Sequence, residues 1–154
     1  MPHHAARHRY PDVEDGGELL RMYEEVHSVT GLPILHGEYS YTAVDSGVPN
    51  LLGARSIGQC SGPCKLKPGH PYLLQRDRAA AAEAQSRKMA GVPYLVGYHW
   101  WRWVDETAGG RWPRGENSNY GLVRIDNSAY AELTAAMTRA NAAAPELHAA
   151  SGVN

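Results

Sequence analysis

One carboxylate in this chain stands where a strand is expected to end. Residues 33–41 read PILHGEYSY, a short apolar run that closes with Glu38 and continues into Tyr39. An acid in that place either meets solvent or points into a site, where it could take part in chemistry. Glu38 is therefore the first candidate functional residue, and its interpretation depends on the elements around it.

A second stretch combines aromatic and polar side chains that suit ligand binding. Residues 99–103 read HWWRW, Asp105 follows shortly after, and residues 115–120 read GENSNY. Phenylalanine is absent, so tyrosine and tryptophan supply every aromatic ring outside the histidines. Rings with a polar group can pack in a core and can also face a wet ligand. Both interpretations stay open from composition alone.

Two cysteines raise the question of a metal site. Cys60 and Cys64 have three residues between them, unlike the two-residue spacing of redox pairs and of many zinc sites. His70 could be a third ligand, yet no second cysteine pair exists to complete a thiolate site. We therefore expect neither a metal nor a cofactor. A local disulfide stays open, but two free thiols in a Gly/Pro-rich loop are favoured.

Size and charge point to an ordinary globular domain. The chain has 154 residues, a formal net charge of −1, 43% hydrophobic and 20% charged residues, so neither a disordered chain nor a basic nucleic-acid-binding protein is expected. No apolar run approaches the length of a membrane span, and the N-terminus lacks the apolar core of a signal peptide. A cytoplasmic location is the default expectation, and secretion follows if the true N-terminus lies upstream.

Hydrophobic periodicity predicts helices and strands in alternation. Helical spacing is present in DGGELLRMYEEVHSV, in the alanine-rich QRDRAAAAEAQSRKMA and in SAYAELTAAMTRANAAA. The apolar runs GLPILHGEYSY and GVPYLVGYHWWRWVD predict strands, and GLVRID predicts a short extended piece. Residues 42–74 form a long loop, a kind of segment that is often functional. Residues 1–14 are expected to be a disordered tail, and residues 145–154 a frayed one.

This order predicts an α/β fold with a parallel sheet. The second strand reads as a near-continuous apolar run, which is typical of a strand buried on both faces between helical crossovers. Ligands of such sheets bind at the carboxyl ends of the strands, where Glu38 and Asp105 are both expected. Two strands cannot close a sheet, so the chain is a fragment, is completed by a partner, or contains strands that the pattern does not reveal.

Four stretches together resemble a known family. PILHGEYSY, DSGVPNLLGAR, YLVGYHWWRWVDE and GRWPRGENSNYGLVRIDNSAYAEL are similar, in this order, to the last two strand and helix units of retaining (β/α)8-barrel glycoside hydrolases. The β-agarase-like and β-galactosidase-like members are the most similar. The resemblance runs from residue 18 to residue 140 and implies that residues 15–144 form a partial TIM barrel with long loops after its strands.

The resemblance also implies roles for single residues. Glu38 corresponds to the nucleophile that ends the seventh strand, and Tyr39 to the aromatic position after it. An aromatic platform under the cleaved sugar corresponds to His99, Trp100 and Trp103. The loop that borders the site carries Arg111, Glu116 and Asn117. The implied substrate is a β-galactosidic, agarose-type polysaccharide, whose flat C–H faces match tryptophan and tyrosine and whose hydroxyls match the polar residues.

One required group is missing from the pattern. Retaining hydrolysis uses two carboxyl groups about 5 to 5.5 Å apart, one as nucleophile and one as acid and base. The family places its acid/base glutamate behind an asparagine far upstream of the nucleophile, but only 37 residues precede Glu38 and no Asn-Glu pair occurs. We therefore expect incomplete catalysis by this chain alone, with a partner chain or self-association completing the barrel.

Simpler interpretations compete with each of these roles. Glu38 could be a solvated strand end, Asp105 could cap its loop, and Tyr41 and Asp45 are expected to be structural. Trp101 is expected in the core, because neighbouring strand residues face opposite ways. The residues Arg111, Glu116 and Asn117 could form a structural turn. For the whole chain, the alternatives are a non-catalytic carbohydrate-binding module and a truncated product that requires a partner.

Overall fold

The computed structural model describes residues 16–48, 50, 74–113 and 115–152. Within them the predicted order of helix, strand, helix, strand, helix is confirmed. The predicted tail 1–14 and the residues Cys60, Cys64 and His70 lie outside the described residues. The elements are α1 (Gly16–Thr30), β1 (Ile34–Tyr39), α2 (Gln75–Ala90), β2 (Leu95–Trp100) and α3 (Ala131–Ala150), with a 3-10 turn at Val44–Ser46.

The two strands form a parallel pair, as predicted for an α/β fold. Ile34 lies opposite Leu95, His36 opposite Tyr98, and Tyr39 opposite Trp100. The segment GLVRID does not add a third strand, since Val123 forms only single bridges, one to Val104 and one to Ala129. The α/β class is therefore confirmed with one strand pair in the described part of the chain.

None of the helices in the described ranges has the length and apolar character needed to cross a membrane.

The hydrophobic core lies between the strands and the helices. Tyr39 and Leu95 contribute to it from the strands, and small alanines let α2 and α3 approach closely. Close packing of such small side chains brings many atoms into dispersion contact. The other fully or nearly fully buried apolar residues of this core are Leu19, Tyr23, Tyr41, Ala79, Ala81, Ala82, Met89, Val92, Tyr130, Leu133, Ala136 and Met137.

β1 contains an irregularity just before its end. The rings of His36 and Tyr39 lie 6.0 Å apart, and Tyr23 of α1 approaches His36 at 5.7 Å. Strict alternation would send residues three apart to opposite faces of a strand. The register shift between His36 and Tyr39 lets both rings pack on the helical side. Such a bulge re-aims the residues beside it, and here Glu38 is one of them.

One prediction about the sheet is wrong. The strands were expected to be buried on both faces, but Leu35 is 56% exposed and Val96 is 65% exposed. The helices cover one face only, and in the described part of the chain no element covers the other. The apolar sequence of the strands thus indicates that both faces favour burial. It does not indicate which element would cover the second face.

β2 is shorter than predicted. Trp101 donates its backbone N–H to Tyr39 at 2.8 Å, the last such bond to the neighbouring strand. From Arg102 onward the backbone instead bonds to the following loop, through Arg102 to Tyr120 at 3.1 Å and Asp105 to Val123 at 3.0 Å. Asp105 is therefore a loop residue beyond the strand and not its last residue.

α3 is longer than predicted. A proline inside a helix removes one backbone donor, which is why residues 145–154 were expected to fray. The helix continues through Pro145 to Ala150. The carbonyl that loses its partner belongs to Asn141, which is exposed and can bond to water. The Ser151 hydroxyl then donates to the carbonyl of His148 at 2.6 Å, close to the helix end.

Candidate functional site

Glu38 lies near the carboxyl end of β1, as the sequence predicted, and is partly buried. Its charge reaches the loop after β2. The pKa of the Tyr120 phenol is raised above its ordinary value, chiefly because the ring is buried, and the carboxylates of Glu106, Glu116 and Glu38 raise it further while a hydrogen bond with Ser118 opposes them. The backbone geometry agrees, because the Trp101 N–H at the start of that loop donates to the carbonyl of Tyr39, the residue after Glu38, at 2.8 Å.

Glu106 is the buried centre of that loop. Its side chain is fully shielded, with Arg111 Nε 3.0 Å and Arg102 Nη1 3.6 Å from Oε1. The backbone N–H of Ser118 donates to Oε2 at 3.2 Å. Burial raises the pKa of Glu106, against the lowering effects of the Ser118 N–H and the arginines. The arginines therefore hold a carboxylate whose burial opposes its ionisation.

Arg111 and Glu116 close a tight turn. Their side chains form an ion pair, and the Arg111 N–H donates to the Glu116 carbonyl at 2.7 Å. A Cβ on Gly110 would lie 2.5 Å from the Gly115 oxygen, and both glycines have positive φ, so the turn requires glycine there. Asn117 is buried and its backbone carbonyl accepts from Asn50 at 3.1 Å. These contacts support the structural interpretation of the turn, and Arg111 remains 42% exposed.

The two adjacent tryptophans of HWWRW are both half-buried but have different neighbours, and the sugar contact predicted for Trp100 stays a prediction. Trp100 packs against the core, 5.2 Å from the ring of Tyr39, and donates its indole N–H to the Tyr120 carbonyl at 2.8 Å. Trp101, expected in the core, instead lies under the guanidinium groups of Arg102 at 5.7 Å and Arg111 at 5.4 Å. The two neighbouring side chains differ in direction, as expected, but Trp100 and not Trp101 packs against the core.

The remaining predicted contact residues lie in different environments. His99 is exposed and Trp103 is 69% exposed, so both are accessible. Tyr39 is fully buried, and its hydroxyl bonds to Ser86 Oγ at 2.6 Å. Burial raises the pKa of Tyr39. Tyr39 therefore anchors β1 to α2, and it has no exposed surface with which to contact a sugar.

Arg78 is a key residue that sequence reasoning missed. It is fully buried, and its guanidinium donates to the carbonyls of Tyr41 at 2.6 Å and Gly121 at 2.8 Å. Burial lowers its pKa to about 10, although Asp105 opposes that shift. An arginine in an alanine-rich helix looks like a surface residue, so no signal in the sequence indicated that it joins both post-strand loops.

Asp105 and a pair of asparagines complete this connection. Asp105 accepts from the Tyr130 hydroxyl at 2.5 Å and from the Gly121 N–H at 2.8 Å, which agrees with the interpretation that it caps its loop. Asn119 donates its N–H to Asn50 at 2.8 Å and accepts from the Ala43 N–H at 3.0 Å. The loop after β1 and the loop after β2 are thus held together by buried hydrogen bonds.

Metal ligands do not converge in this part of the molecule. Within the ranges that the structure describes, no three side chains of histidine, cysteine, aspartate or glutamate lie together as ligands would.

Comparison with curated proteins identifies a relative. No family model matches the chain. β-Agarase B of Vibrio sp. (strain JT0107) is 30% identical over 109 residues, which cover 71% of this chain and 10% of that protein.

Comparison with solved structures agrees. The structure of PfGH50B matches with a TM-score of 0.61 and 25% identity, over 80% of this chain and 16% of the other. An exo-β-agarase matches in fold with a TM-score of 0.63 at 24% identity, over 83% of this chain and 15% of the other. This chain spans only those small shares of the proteins it matches. The resemblance to agarase-like glycoside hydrolases is confirmed, because most of the chain is similar to a small part of a β-agarase.

Proposed function

We propose that this chain is part of a retaining glycoside hydrolase that acts on β-galactosidic, agarose-type polysaccharide, with Glu38 as its nucleophile. The observation that carries the proposal is the position of Glu38 near the carboxyl end of β1, where the next residue, Tyr39, accepts from the Trp101 N–H at the start of the loop after β2. Glu38 lies near the end of a parallel strand, at the edge where such sheets bind ligands, and the chain is similar to an agarase.

The loop after β2 supplies groups that fit a sugar. Trp101 offers a partly exposed ring beside the accessible arginines Arg102 and Arg111. A ring can cover the C–H face of a sugar, while guanidinium groups donate hydrogen bonds to its hydroxyls. We assign Trp101, and not Trp100, to the platform under the cleaved sugar. His99 and Trp103 are accessible for further contacts.

Two other carboxylates near Tyr120 do not fit the acid/base role. Glu106 has no exposed side-chain surface, so it cannot protonate a leaving oxygen. Glu116 is paired with Arg111 in the tight turn, so its carboxylate already has a structural partner. Retaining hydrolysis needs a second carboxyl group about 5 to 5.5 Å from the nucleophile. In this proposal that group comes from elsewhere, together with further strands of a barrel.

The open face of the sheet supports this part of the proposal. Leu35 and Val96 expose large apolar surfaces on neighbouring strands, and such surface favours a covering partner. A partner chain or a second copy that covers it would also place further residues at the edge where Glu38 lies. Sedimentation velocity over a range of concentrations should therefore show association, and replacing both residues by serine should reduce it.

An assay with an activated substrate tests the nucleophile without requiring the missing acid. Dinitrophenolate leaves a galactoside without protonation, so a chain that holds only the nucleophile should release it slowly from dinitrophenyl β-galactoside. We expect no release by Glu38→Gln and recovery of release when azide is added to Glu38→Ala. The matched control is Glu24→Gln on exposed α1. Equal activity of Glu38→Gln and the parent chain would refute the assignment.

A second candidate is a carbohydrate-binding module without catalysis. The observation that favours it is the exposure of two tryptophans, Trp103 at 69% and Trp112 at 90%, in a chain where no described carboxylate fits the acid role. This alternative predicts sugar binding that survives Glu38→Ala, together with no dinitrophenolate release by the parent chain. A truncated product would instead aggregate and bind no sugar, which size-exclusion chromatography would reveal.

A further inference from the structure

Glu106 joins two arginines from inside the loop after β2. Its Oε1 lies 3.0 Å from Arg111 Nε and 3.6 Å from Arg102 Nη1. The side chain of Glu106 is fully shielded from solvent, whereas those of Arg102 and Arg111 are 31% and 42% exposed. The acid is therefore the hidden member of this cluster, and the two cations are its accessible members.

The carboxylate is fixed through its other oxygen. The backbone N–H of Ser118 donates to Oε2, and the backbone N–H of Glu106 donates to the Ser118 carbonyl, both at 3.2 Å. The main chain and the side chain of Glu106 thus share one anchor. Because the arginines take no part in these two bonds, Oε1 is a fixed point to which both guanidinium groups can attach.

The attached guanidinium groups lie at the indole that was assigned above to the sugar platform. The guanidinium carbons of Arg102 and Arg111 are 5.7 and 5.4 Å from the ring centre of Trp101. Arg111 also pairs with Glu116. Among the described residues, Glu106 is the only carboxylate that pairs with Arg102. The position of Arg102 therefore depends on Glu106 more than that of Arg111 does.

Stability alone does not explain why a carboxylate is buried at this point. A buried ion pair contributes little net stability, because the cost of removing the charges from water offsets their attraction. A long arginine side chain loses rotamer freedom when it binds a ligand, and fixing the side chain beforehand removes that cost. The contacts of Glu106 provide such fixing for both arginines.

We propose that Glu106 is a positioning residue of the candidate site. It holds Arg102 and Arg111 beside the indole of the platform, so that their N–H groups meet the hydroxyls of a bound sugar. This inference rests on the proposed function. Glu106 has no exposed surface with which to touch the sugar itself, so its contribution to binding passes through the arginines.

Calorimetric titration of the full chain with an agarose hexasaccharide tests the inference. Glu106→Gln keeps the size of the side chain and an oxygen for the Ser118 N–H, but it removes the charge that holds the arginines. We expect this variant to bind the sugar about tenfold more weakly, which is the order expected for fixing two side chains in advance. The matched control is Glu24→Gln on exposed α1, which should bind as the parent chain does.

Nuclear magnetic resonance relaxation of the arginine side chains separates positioning from a general structural role. In the absence of sugar, the Nε–H groups of Arg102 and Arg111 should show restricted motion in the parent chain and in Glu24→Gln. Both groups should become more mobile in Glu106→Gln, with the larger change at Arg102. Far-ultraviolet circular dichroism checks that each variant is folded.

Three results would overturn the inference: an unchanged sugar affinity in Glu106→Gln, unchanged motion of both arginines in that variant, or no sugar binding by the parent chain. Failure of the proposed nucleophile is a distinct outcome. Dinitrophenolate release that does not depend on Glu38 would refute the nucleophile, while a tenfold loss of affinity in Glu106→Gln with mobile arginines would still support the positioning role.

Discussion

The α2–α3 interface and the loop after β2 each contain a carboxylate paired with arginine, yet they use it differently. Between the helices, Glu83 pairs with Arg139 at 2.5 Å at the edge of an apolar interface, and this hydrogen bond lowers the pKa of Glu83. In the loop, Glu106 is buried among arginines, and burial raises its pKa. The α2–α3 interface buries apolar atoms and leaves this ion pair at its edge, whereas the loop buries its carboxylate.

The two regions differ in what their contacts contribute: the helices contribute stability, and the loop holds candidate site residues in place. The helical side derives its stability from close packing of small apolar residues, which is favourable in itself. The loop gains defined positions for Trp101, Arg111 and Tyr120 through buried polar contacts, and buried ion pairs contribute little net stability. Charged groups held in a costly arrangement at a strand end are typical of a functional site.

Removing Arg78 should have the largest effect, because it joins the two regions. Arg78→Ala leaves two buried carbonyls without their donor and creates a cavity, so we expect a loss of roughly 3–5 kcal/mol in the free energy of unfolding. Thermal and urea denaturation measure it. Arg76→Ala, at a 72% exposed residue of the same helix, should change stability by less than about 0.5 kcal/mol. Equal effects of the two variants would show that Arg78 does not connect the loops.

A glycine pair tests whether the loop is packed as tightly as the helices. A Cβ on Gly121 would lie 2.3 Å from the Val123 oxygen and 2.4 Å from the Asp105 nitrogen, whereas one on Gly109 would meet nothing within 4 Å. We expect Gly121→Ala to lower the free energy of unfolding by roughly 1–3 kcal/mol. Gly109→Ala should stay within about 0.5 kcal/mol of the parent chain. An unchanged free energy of unfolding in Gly121→Ala would mean that the loop is loosely packed.

Glu106 should make the free energy of unfolding depend on pH in a defined direction. Its pKa is raised on folding, so the folded protein binds this proton more readily than the unfolded chain. Its contribution to stability therefore falls as the pH rises from the ordinary range of glutamate through the raised pKa. Urea denaturation between pH 4 and 8 should show the parent chain losing stability relative to Glu106→Gln as the pH rises. The opposite slope would contradict a buried, desolvated carboxylate.

Glu83 should show the smallest effect, with the reverse slope. Its pKa is lowered on folding, so its contribution is present above the ordinary pKa of glutamate and is lost as the pH falls through the lowered value. The partner Arg139 is exposed, and exposed pairs contribute little. Glu83→Gln should therefore differ slightly from the parent chain at pH 7 and converge with it in acid. If Glu83→Gln lowered the free energy of unfolding more than Gly121→Ala, the ion pair between the helices would matter more for stability than the packing of the loop.

The sequence predicts the elements well because their signals are local. Helical spacing and apolar runs determine the order of α1, β1, α2, β2 and α3, and they correctly place Glu38 near the end of a strand. Which of Trp100 and Trp101 faces the core depends on where β2 stops pairing with β1. That point is set by backbone bonds from Arg102 to a loop some twenty residues later in the chain. Tertiary hydrogen bonds of this kind have no periodic signal.

The buried polar residues were the hardest to predict. Arg78 and Glu106 belong to residue types that are rarely fully buried, and their partners come from other segments of the chain. Tyr39 was expected at the sugar because it follows Glu38, but the register shift in β1 turns its ring to the helices. The resemblance indicated the region of the strand ends, while the side-chain directions within that region depend on the bulge and the loops.

Covalent trapping tests the central claim, that Glu38 is the nucleophile, most directly. A fluorinated β-galactoside with a dinitrophenyl leaving group should form a stable glycosyl ester with the nucleophile and needs no acid to do so. Peptide mapping by mass spectrometry should locate the added mass on Glu38 in the parent chain and in Glu24→Gln, and find none in Glu38→Gln. An adduct on another carboxylate, or no adduct on the parent chain, would contradict the account.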